Sequence, residues 1–378
     1  MTAHIFYSYY LDSKGEHVTI GGVQTYLTNL SELLMEMGYE VVFYQQAESD
    51  FEREHNGCKV IGLKGHSDRG YVTGQRLFDK CKEDACAEDD IIIFGTDTLN
   101  VPCPGFKTIS IQHGIYWDVP QKGELSKRNY LKEFCRKALR AWKQVKRVSC
   151  VDSIVCVDYN FINWYRAVVP YPQTRLKAIM NFTGIPNAKG IDKPQDMVNV
   201  IFARRLVEYR GTRIFTEAVQ QILARYQNVF VTIAGNGPDE QWMKSRLGSN
   251  NRVEFITYSS DESLKIHADK HIAVVPTVGS EGTSLSLLEA MACGCAVVCS
   301  NVGGMTNIVQ SGYNGLMIEP TADALYMALE NLISNFGLCN ELGEAARLTV
   351  MRSFSKERWR AEWREVIIEL QRKDKENK

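Results

Sequence analysis

The chain has 378 residues, of which 44% are hydrophobic and 24% are charged, and its formal net charge at pH 7 is −1. This balance excludes a disordered chain, and the length is sufficient for two hydrophobic cores. Because the net charge is close to zero, any preference for a charged partner must come from a local patch of the surface. No stretch approaches the ~18 consecutive apolar residues that are needed to cross a bilayer.

Two features bear on the cellular location. The first eleven residues have neither a basic start nor a small-residue cleavage site, so they are predicted to form a strand and not a signal peptide. The 11 cysteines follow no regular framework, which is typical of reduced thiols in the cytoplasm. Cys293, Cys295 and Cys299 lie closest together, but no histidine is near them, and we interpret them as buried thiols, not as a zinc site. The sequence therefore predicts a cytoplasmic protein without a metal centre.

Strands and helices alternate along the first half of the chain. A strand is predicted at residues 5–10, and a helix begins at Gly21 and Gly22, with apolar residues at every third or fourth position. Gly38 ends this helix, and residues 40–44 form the next strand. Further strands are predicted at residues 91–94, 108–112 and 154–157. This alternation builds a parallel sheet with helices on both faces.

A basic stretch interrupts this half. Residues 122–147 contain ten lysines and arginines against two acidic residues, and their apolar residues recur at helical spacing. Such a helix can lie on an anionic membrane surface, which would suit a membrane-bound acceptor. Alternatively, its apolar stripe packs on the sheet and its charges face water. No nucleic-acid-binding motif is present, so nucleic acid is not predicted as a partner.

The alternation begins again after residues 181–196, which hold two prolines and two glycines and are predicted to be a linker. A helix is predicted at residues 214–226, and strands at residues 199–203, 229–234, 272–276, 296–300 and 315–318. The last helix, at about residues 356–372, carries Trp359, Trp363, Ile367 and Leu370 on one stripe and should pack against a domain. We therefore predict a first domain of residues 1–183 with the helical end 355–378, and a second domain of residues 184–354. Ligands of such domains bind at the carboxyl ends of the strands.

Two glutamates flank a small-residue loop in the second domain. A helix is predicted to begin near Thr283, so the amides of Gly282, Thr283 and Ser284 would point out of its amino-terminal end, where phosphate is favoured. Glu281 precedes this helix, and Glu289 lies along it at roughly 12 Å. One carboxylate could bind a transferred sugar and the other a ribose. Alternatively, the pair is a helix-terminal charge and an unrelated surface glutamate.

Cations and glycines follow two other strands of the same domain. The sequence Arg-Arg-Leu-Val-Glu-Tyr-Arg-Gly occupies residues 204–211, and its guanidinium groups could neutralise a diphosphate. Gly235 and Gly237 follow the next strand, where they would let the backbone approach a ligand closely. The alternatives are a solvated strand end and a tight turn.

Together these segments resemble the retaining glycosyltransferases of family 4, which have the GT-B fold. The resemblance extends over nearly the whole chain, and its landmarks are Gly21-Gly22-Val23, Gln112-His113-Gly114, residues 205–211, residues 235–238, and Glu281 with Glu289. The full segment of residues 281–292 is highly specific for that family, whereas each glycine turn is a weak signal. The implied fold is α/β, with two Rossmann-like domains that face each other across a cleft and a carboxyl-terminal helix packed back on the first domain.

The resemblance also implies a role for each matching residue. A lone histidine is more often structural, but His113 follows a strand and matches the family's motif. The family usually has lysine where this chain has Arg210, which keeps the charge but changes its geometry. The implied roles are Arg205 and Arg210 for the donor diphosphate, Glu281 for the hydroxyls of the donor sugar, Glu289 for the ribose, Gly22 for the diphosphate through its amide, and His113 for the sugar near its reacting carbon.

The expected activity is transfer of a hexose-type sugar, with retention, from a nucleotide diphosphate sugar to a glycan or lipid-linked acceptor, in cell-surface polysaccharide synthesis. No Asp-x-Asp motif is present, and two arginines with a helix terminus can stabilise the leaving diphosphate, so neither a metal ion nor a cofactor is expected. The expected location is the cytoplasm, peripheral to the inner face of the membrane. A sugar-nucleotide epimerase of the same fold and a non-catalytic sugar-nucleotide-binding protein are the alternatives. A dinucleotide-dependent oxidoreductase is excluded because no Gly-x-Gly-x-x-Gly follows the first strand.

Overall fold

A computed structural model describes residues 1–19, 21–118, 127–170, 175–186, 193–194 and 196–376. The described residues fall into two compact units. Those of Met1–His113, Gly123–Ile179 and Arg360–Lys378 form the amino-terminal unit, and those of Gly114–Lys122 and Met180–Trp359 form the carboxyl-terminal unit. Apart from the segment that begins at Gly114, the chain changes unit after residues 179 and 359, whereas the sequence prediction places these boundaries after residues 183 and 354.

The amino-terminal unit contains an eight-stranded sheet of order β3-β4-β2-β1-β5-β6-β7-β8. Among the described strands, only the β3–β4 pair is antiparallel. Its strands are β1 (Thr2–Phe6), β2 (Glu40–Ala47), β3 (Phe51–His55), β4 (Cys58–Lys64), β5 (Ile91–Phe94), β6 (Lys107–Gln112), β7 (Ser153–Cys156) and β8 (Arg175–Ala178), and its helices include α1 (Gly22–Glu36), α2 (Gly70–Cys81), α3 (Lys127–Val148) and α4 (Tyr159–Val168). The central strand β5 is an unbroken apolar run and is buried throughout, as expected for a parallel strand covered on both faces.

The carboxyl-terminal unit contains a six-stranded parallel sheet of order β11-β10-β9-β12-β13-β14. Its strands are β9 (Val198–Ala203), β10 (Val229–Ala234), β11 (Val253–Ile256), β12 (Ile272–Val275), β13 (Ala296–Ser300) and β14 (Leu316–Ile318), and its helices are α5 (Thr212–Arg225), α6 (Glu240–Leu247), α7 (Ser263–His267), α8 (Leu285–Ala292), α9 (Ala322–Ser334) and α10 (Phe336–Ser353). The strand order reverses between β9 and β12, and this switch point is where open α/β sheets bind ligands.

Each face of this sheet carries its own hydrophobic core. Along β9, Val200 and Phe202 belong to one core and Ile201 and Ala203 to the other, because successive side chains of a strand point to opposite faces. The first core includes apolar residues of α5, α6 and α9, and the second includes those of α8 and part of α10. The sheet is therefore covered on both faces.

The last helix, α11 (Lys356–Glu376), continues from one unit into the other. Its stripe of Trp359, Trp363, Ile367 and Leu370 is buried, as the spacing predicts. Within the amino-terminal unit, the Trp363 indole donates a hydrogen bond of 2.8 Å to the Tyr26 hydroxyl of α1. The predicted packing of the carboxyl-terminal helix on the first domain is thus confirmed.

The structure of helix α3 does not follow the alternative interpretation of the sequence, in which the apolar stripe packs on the sheet. Its buried positions carry Glu133, Gln144 and, at the end of the helix, Val148, and the Gln144 amide donates to the Asp97 carboxylate. The most exposed apolar side chains lie on the other side of the helix, with exposed fractions of 62% for Leu131, 61% for Phe134 and 53% for Trp142. The helix is amphipathic as predicted, but its apolar face points to solvent. Residues 122–126 of the predicted basic stretch lie outside the described residues.

None of the described helices is both long enough and apolar enough to span a bilayer. The cysteines of the second domain are buried thiols, and burial raises the pKa of Cys293 and Cys299 to about 12. Nowhere in the described part of the chain do three histidine, cysteine, aspartate or glutamate side chains lie close enough together to hold a metal ion.

Candidate active site

The site residues of the carboxyl-terminal unit lie at the switch point of its sheet. Arg204 directly follows β9, and Thr277 follows β12, the neighbouring strand. The two loops after these strands pack backbone against backbone, since the Val278 amide donates to the Tyr209 carbonyl at 2.9 Å. Gly211 has a φ of 87°, and a Cβ there would come within 2.0 Å of a backbone carbonyl of the facing loop. Glycine is therefore required where these loops meet.

Glu281 is the centre of this arrangement. It is only 8% exposed, and its Oε2 accepts hydrogen bonds from Arg204 Nη2 at 2.8 Å and from Thr277 Oγ1 at 2.9 Å. Arg210 Nη1 donates to the same oxygen. Arg204 also donates to the Thr277 hydroxyl, so the four side chains form one network. Two guanidinium groups thus share a single carboxylate.

The surroundings of Glu281 determine its ionisation. Burial by itself would raise the pKa of Glu281, but the charges of Arg204 and Arg210 and the hydrogen bonds from Arg204 and Thr277 outweigh it and lower the pKa. The carboxylate is consequently ionised at neutral pH. It can accept a hydrogen bond from a sugar hydroxyl but cannot donate one.

The backbone of Glu281 is held as firmly as its side chain. Ser280 has a φ of 56°, in the left-handed region that non-glycine residues rarely adopt. The Gly304 amide donates to the Glu281 carbonyl at 2.9 Å, and a Cβ on Gly303 would come within 2.1 Å of that carbonyl. The Gly303-Gly304 turn therefore fixes the backbone of Glu281 and with it the direction of the Glu281 side chain.

The predicted phosphate-binding segment, Gly282 to Ser284, precedes α8, which begins at Leu285 and not near Thr283. Ser284 has extended backbone angles and occupies the N-cap position, which delays the helix by two residues. The Ser284 side chain does not cap the helix, and the first turn contains no acidic residue. The amides at this terminus lack an anionic side chain of their own, an arrangement that suits an anionic ligand.

Glu289 lies in the second turn of α8 in a different environment. Burial raises its pKa to about 7, and a hydrogen bond from Ser263 offsets only part of this effect. Burial raises the pKa of the Tyr258 phenol to about 12, and the charge of the nearby Glu289 adds to this effect. Ser263 and Tyr258 were not predicted from the sequence, since they lie in a segment without a recognisable motif.

The arginines are arranged differently from the prediction. Arg204, which the sequence analysis did not choose, is buried and binds Glu281, whereas the predicted Arg205 is exposed. Arg210 binds Glu281 with 23% of its side chain exposed. The two consecutive arginines after β9 are the sequence feature that could have indicated Arg204. Adjacent side chains point in different directions, however, and the sequence alone does not determine which of the two is buried. The contact of Arg205 with a diphosphate stays a prediction.

The two glycines after β10 serve the neighbouring loop. Gly235 and Gly237 have φ values of 136° and 152°, and a Cβ would come within 2.3 Å of the Arg204 carbonyl and within 2.4 Å of the Leu206 carbonyl, respectively. Their absent side chains let the turn pack against the residues that position Arg204. Direct contact of these glycines with a donor stays a prediction.

His113 and Gly22 belong to the amino-terminal unit, and His113 is the last residue of its first segment. His113 Nε2 lies 2.9 Å from the Gly95 carbonyl, and burial lowers the pKa of the ring to about 4. The imidazole is therefore neutral at pH 7, with Nε2 as the donor to Gly95. Gly22 opens α1, whose N-cap Gly21 provides no side-chain cap and whose first turn has no acidic residue. Both positions are compatible with their predicted roles, which stay predictions.

Comparison with known proteins identifies the family. Residues 186–349 match the family model of the Glycosyl transferases group 1. This segment, which lies in the carboxyl-terminal unit, is that of a group 1 glycosyltransferase. The predicted family is confirmed, and a transferase activity follows at this general level.

Curated relatives agree with the family. The phosphatidylinositol N-acetylglucosaminyltransferase gpi3 subunit of Schizosaccharomyces pombe is 22% identical over 84% of this chain and 70% of its own length. An uncharacterized glycosyltransferase of Methanocaldococcus jannaschii is 27% identical, but the match spans only 44% of each chain. The aligned share of the chain thus differs between these two relatives.

Solved structures confirm the fold. Sucrose-phosphate synthase from Thermosynechococcus elongatus superposes with a TM-score of 0.76 and 17% identity, over 98% of this chain and 99% of that one. Anabaena HepE in complex with UDP gives a TM-score of 0.69 and 16% identity, over 98% and 100%. The predicted GT-B fold with two Rossmann-like domains is confirmed.

Proposed function

We propose that this group 1 glycosyltransferase transfers a hexose-type sugar from a nucleotide diphosphate sugar to a glycan or lipid-linked acceptor, with retention, in cell-surface polysaccharide synthesis. The observation that carries the proposal is the ionised, buried Glu281 beside an uncapped helix terminus and two guanidinium groups. A carboxylate suits sugar hydroxyls, and the amides and cations suit a diphosphate. Anabaena HepE, which has the same fold, was solved with UDP.

The residues of the site have distinct roles in this proposal. Glu281 binds hydroxyls of the donor sugar, and Glu289 binds the ribose. Arg205 and Arg210 stabilise the negative charge that develops on the diphosphate as the glycosyl bond breaks, an electrostatic effect that needs no metal ion. In the retaining reaction, the acceptor oxygen attacks the anomeric carbon on the face that the diphosphate leaves, and a phosphate oxygen takes the acceptor proton. Transfer in the presence of EDTA is the expected result.

A transfer assay tests this function. The protein is incubated with UDP-, GDP-, ADP- and dTDP-sugars and a lipid or glycan acceptor, and the released nucleoside diphosphate and the product are measured. The anomeric configuration of the product, determined by NMR, should equal that of the donor. Conversion of the donor into an epimer without transfer would favour the epimerase alternative, and binding without any turnover would favour a non-catalytic protein.

The surface of α3 supports a membrane-associated acceptor. Its exposed apolar side chains are flanked by exposed Lys132, Lys143 and Lys146, and the Lys146 ammonium lies 4.0 Å from the centre of the Trp142 ring. Exposed apolar residues beside basic ones fit the interface of an anionic bilayer, where each cation contributes about 1 kcal/mol. We therefore propose that the protein binds peripherally to an anionic membrane through α3.

Vesicle sedimentation tests the membrane proposal. At low salt the parent protein should sediment with phosphatidylglycerol vesicles and not with phosphatidylcholine vesicles. Leu131→Glu and Trp142→Glu together should abolish this binding, whereas Met327→Glu is the control, since Met327 is 68% exposed on α9. A parent protein that ignores both vesicle types would contradict the proposal, and loss of self-association in the variant would indicate that a second copy covers α3.

A further inference from the structure

Arg204 is buried at the site, and none of the roles predicted from the family motif falls on it. Its side chain is 6% exposed, and its two terminal nitrogens bind Glu281 and Thr277. It can reach no surface charge without leaving this network. A cation so enclosed is suited to remain beside one partner.

Arg210 binds the same carboxylate oxygen but is less enclosed. Its side chain is 23% exposed, and its guanidinium lies 5.0 Å from the centre of the ring of Tyr209, which is itself 38% exposed. Two cations on one carboxylate leave one positive charge in excess. If Arg210 turned away, Glu281 would keep a charged partner, because Arg204 and Thr277 would still hold it.

All three donors to the Glu281 side chain bind Oε2. Among the described residues, none donates a hydrogen bond to Oε1. The network therefore orients the carboxylate and leaves one of its oxygens for a ligand.

We propose that Arg204 is a positioning residue that serves as the permanent counter-ion of Glu281, so that Arg210 can turn from Glu281 to the donor diphosphate. The inference rests on the proposed function, since it assigns the released cation to the diphosphate of the donor. A buried carboxylate that loses its last cation is strongly destabilised, and Arg204 prevents this when Arg210 moves. Without Arg204, Arg210 would be held on Glu281 and would bind the donor poorly.

The charged groups around Glu281 predict a specific pH effect. Arg204 faces it from the end of β9 and Arg210 from the loop that follows. The neighbouring Tyr258 phenol is neutral at pH 7, and burial raises its pKa further, to about 12. Removing Arg204 removes one of the two cations that lower the pKa of Glu281. The acid limb of kcat/KM should therefore move to higher pH.

Kinetics of Arg204→Met test the inference. The KM for the donor should rise at least tenfold, the acid limb should move up by about one pH unit, and Arg204→Lys should recover part of both. Arg252→Met is the control, because Arg252 is a part-buried arginine of the same unit whose guanidinium donates to the Tyr226 and Leu223 carbonyls. Unchanged donor KM and acid limb in Arg204→Met would overturn the inference.

A double-mutant cycle gives a measurement that does not depend on turnover. Arg204→Met should destabilise the parent at pH 7 much more than it destabilises Glu281→Gln, and the difference should shrink as the pH falls and Glu281 is protonated. Equal destabilisation in both backgrounds would overturn the inference. A parent enzyme that binds no nucleotide sugar would instead contradict the proposed function, while the cycle would still measure the pairing of Arg204 with Glu281.

Discussion

The two glutamates of the acidic segment differ more than their spacing suggests. Glu281 stands between two guanidinium groups, and its pKa is lowered against the effect of burial. Glu289, in the second turn of α8, is acted on by the Ser263 hydroxyl and by burial, which raises its pKa to about 7. One carboxylate is thus a permanent acceptor, and the other changes its protonation near neutral pH. The same residue type serves two chemical tasks because its neighbours differ.

The largest expected effect is on Glu281. Glu281→Gln removes the charge but keeps the shape, so the two guanidinium groups lose their anionic partner. We expect kcat/KM to fall by roughly 10³-fold, the upper range for removing one charge-stabilising group. Unfolding should also become easier by about 3–5 kcal/mol, because the buried Arg204 and the part-buried Arg210 lose their anionic partner. Steady-state kinetics and urea unfolding measure both, and turnover within tenfold of the parent would remove Glu281 from the site.

Glu289→Gln should act mainly on the pH dependence of stability. The folded-state pKa of about 7 lies above the ordinary value of 4.5, so the folded protein binds the proton more tightly, and the free energy of unfolding falls as pH rises from 4.5 to 7. Glutamine abolishes this loss, so relative to the parent the variant should gain up to about 3 kcal/mol between pH 4.5 and pH 8. Urea unfolding at both values measures the gain. A constant difference between variant and parent would mean that Glu289 titrates normally.

Arg210→Lys should have the smallest effect of the three. Lysine keeps the charge beside Glu281 but replaces a planar fork by a single ammonium group. We expect the donor KM to change by less than about tenfold, whereas Arg210→Met should raise it by roughly 100-fold, as for a lost hydrogen bond to a charged group. Donor titrations of the two variants measure the difference. Equal values for lysine and methionine would show that the charge of Arg210 is not used.

The strands of the carboxyl-terminal unit could be predicted closely from the sequence. Residues 229–234 and 296–300 are predicted and observed with the same bounds, since buried parallel strands are short apolar runs between turn residues. The strands β3, β4, β8 and β11 were not predicted, and neither were the helices α2, α4, α6, α7, α9 and α10. The linker prediction falls partly on residues 187–192 and 195, which lie outside the described residues.

The site could be predicted as a set of motifs but not as a network. The acidic segment marks both glutamates, but their different ionisation depends on Arg204, Ser263 and Tyr258, which come from other loops. The periodicity of α3 likewise predicts a helix but not its inward face. That face depends on partners such as Asp97, 47 residues from Gln144 in the chain.

One measurement tests the central claim, that Glu281 anchors a nucleotide-sugar donor, most directly. Thermal shifts of the parent and of Glu281→Gln are recorded with UDP-, GDP-, ADP- and dTDP-sugars and with the matching nucleoside diphosphates. A ligand at 100 times its Kd stabilises the folded state by about 2.7 kcal/mol. We predict that one nucleotide sugar raises the Tm of the parent and that the variant loses the extra shift of the sugar over its diphosphate. Absence of any shift in the parent, or equal shifts in both proteins, would contradict the claim.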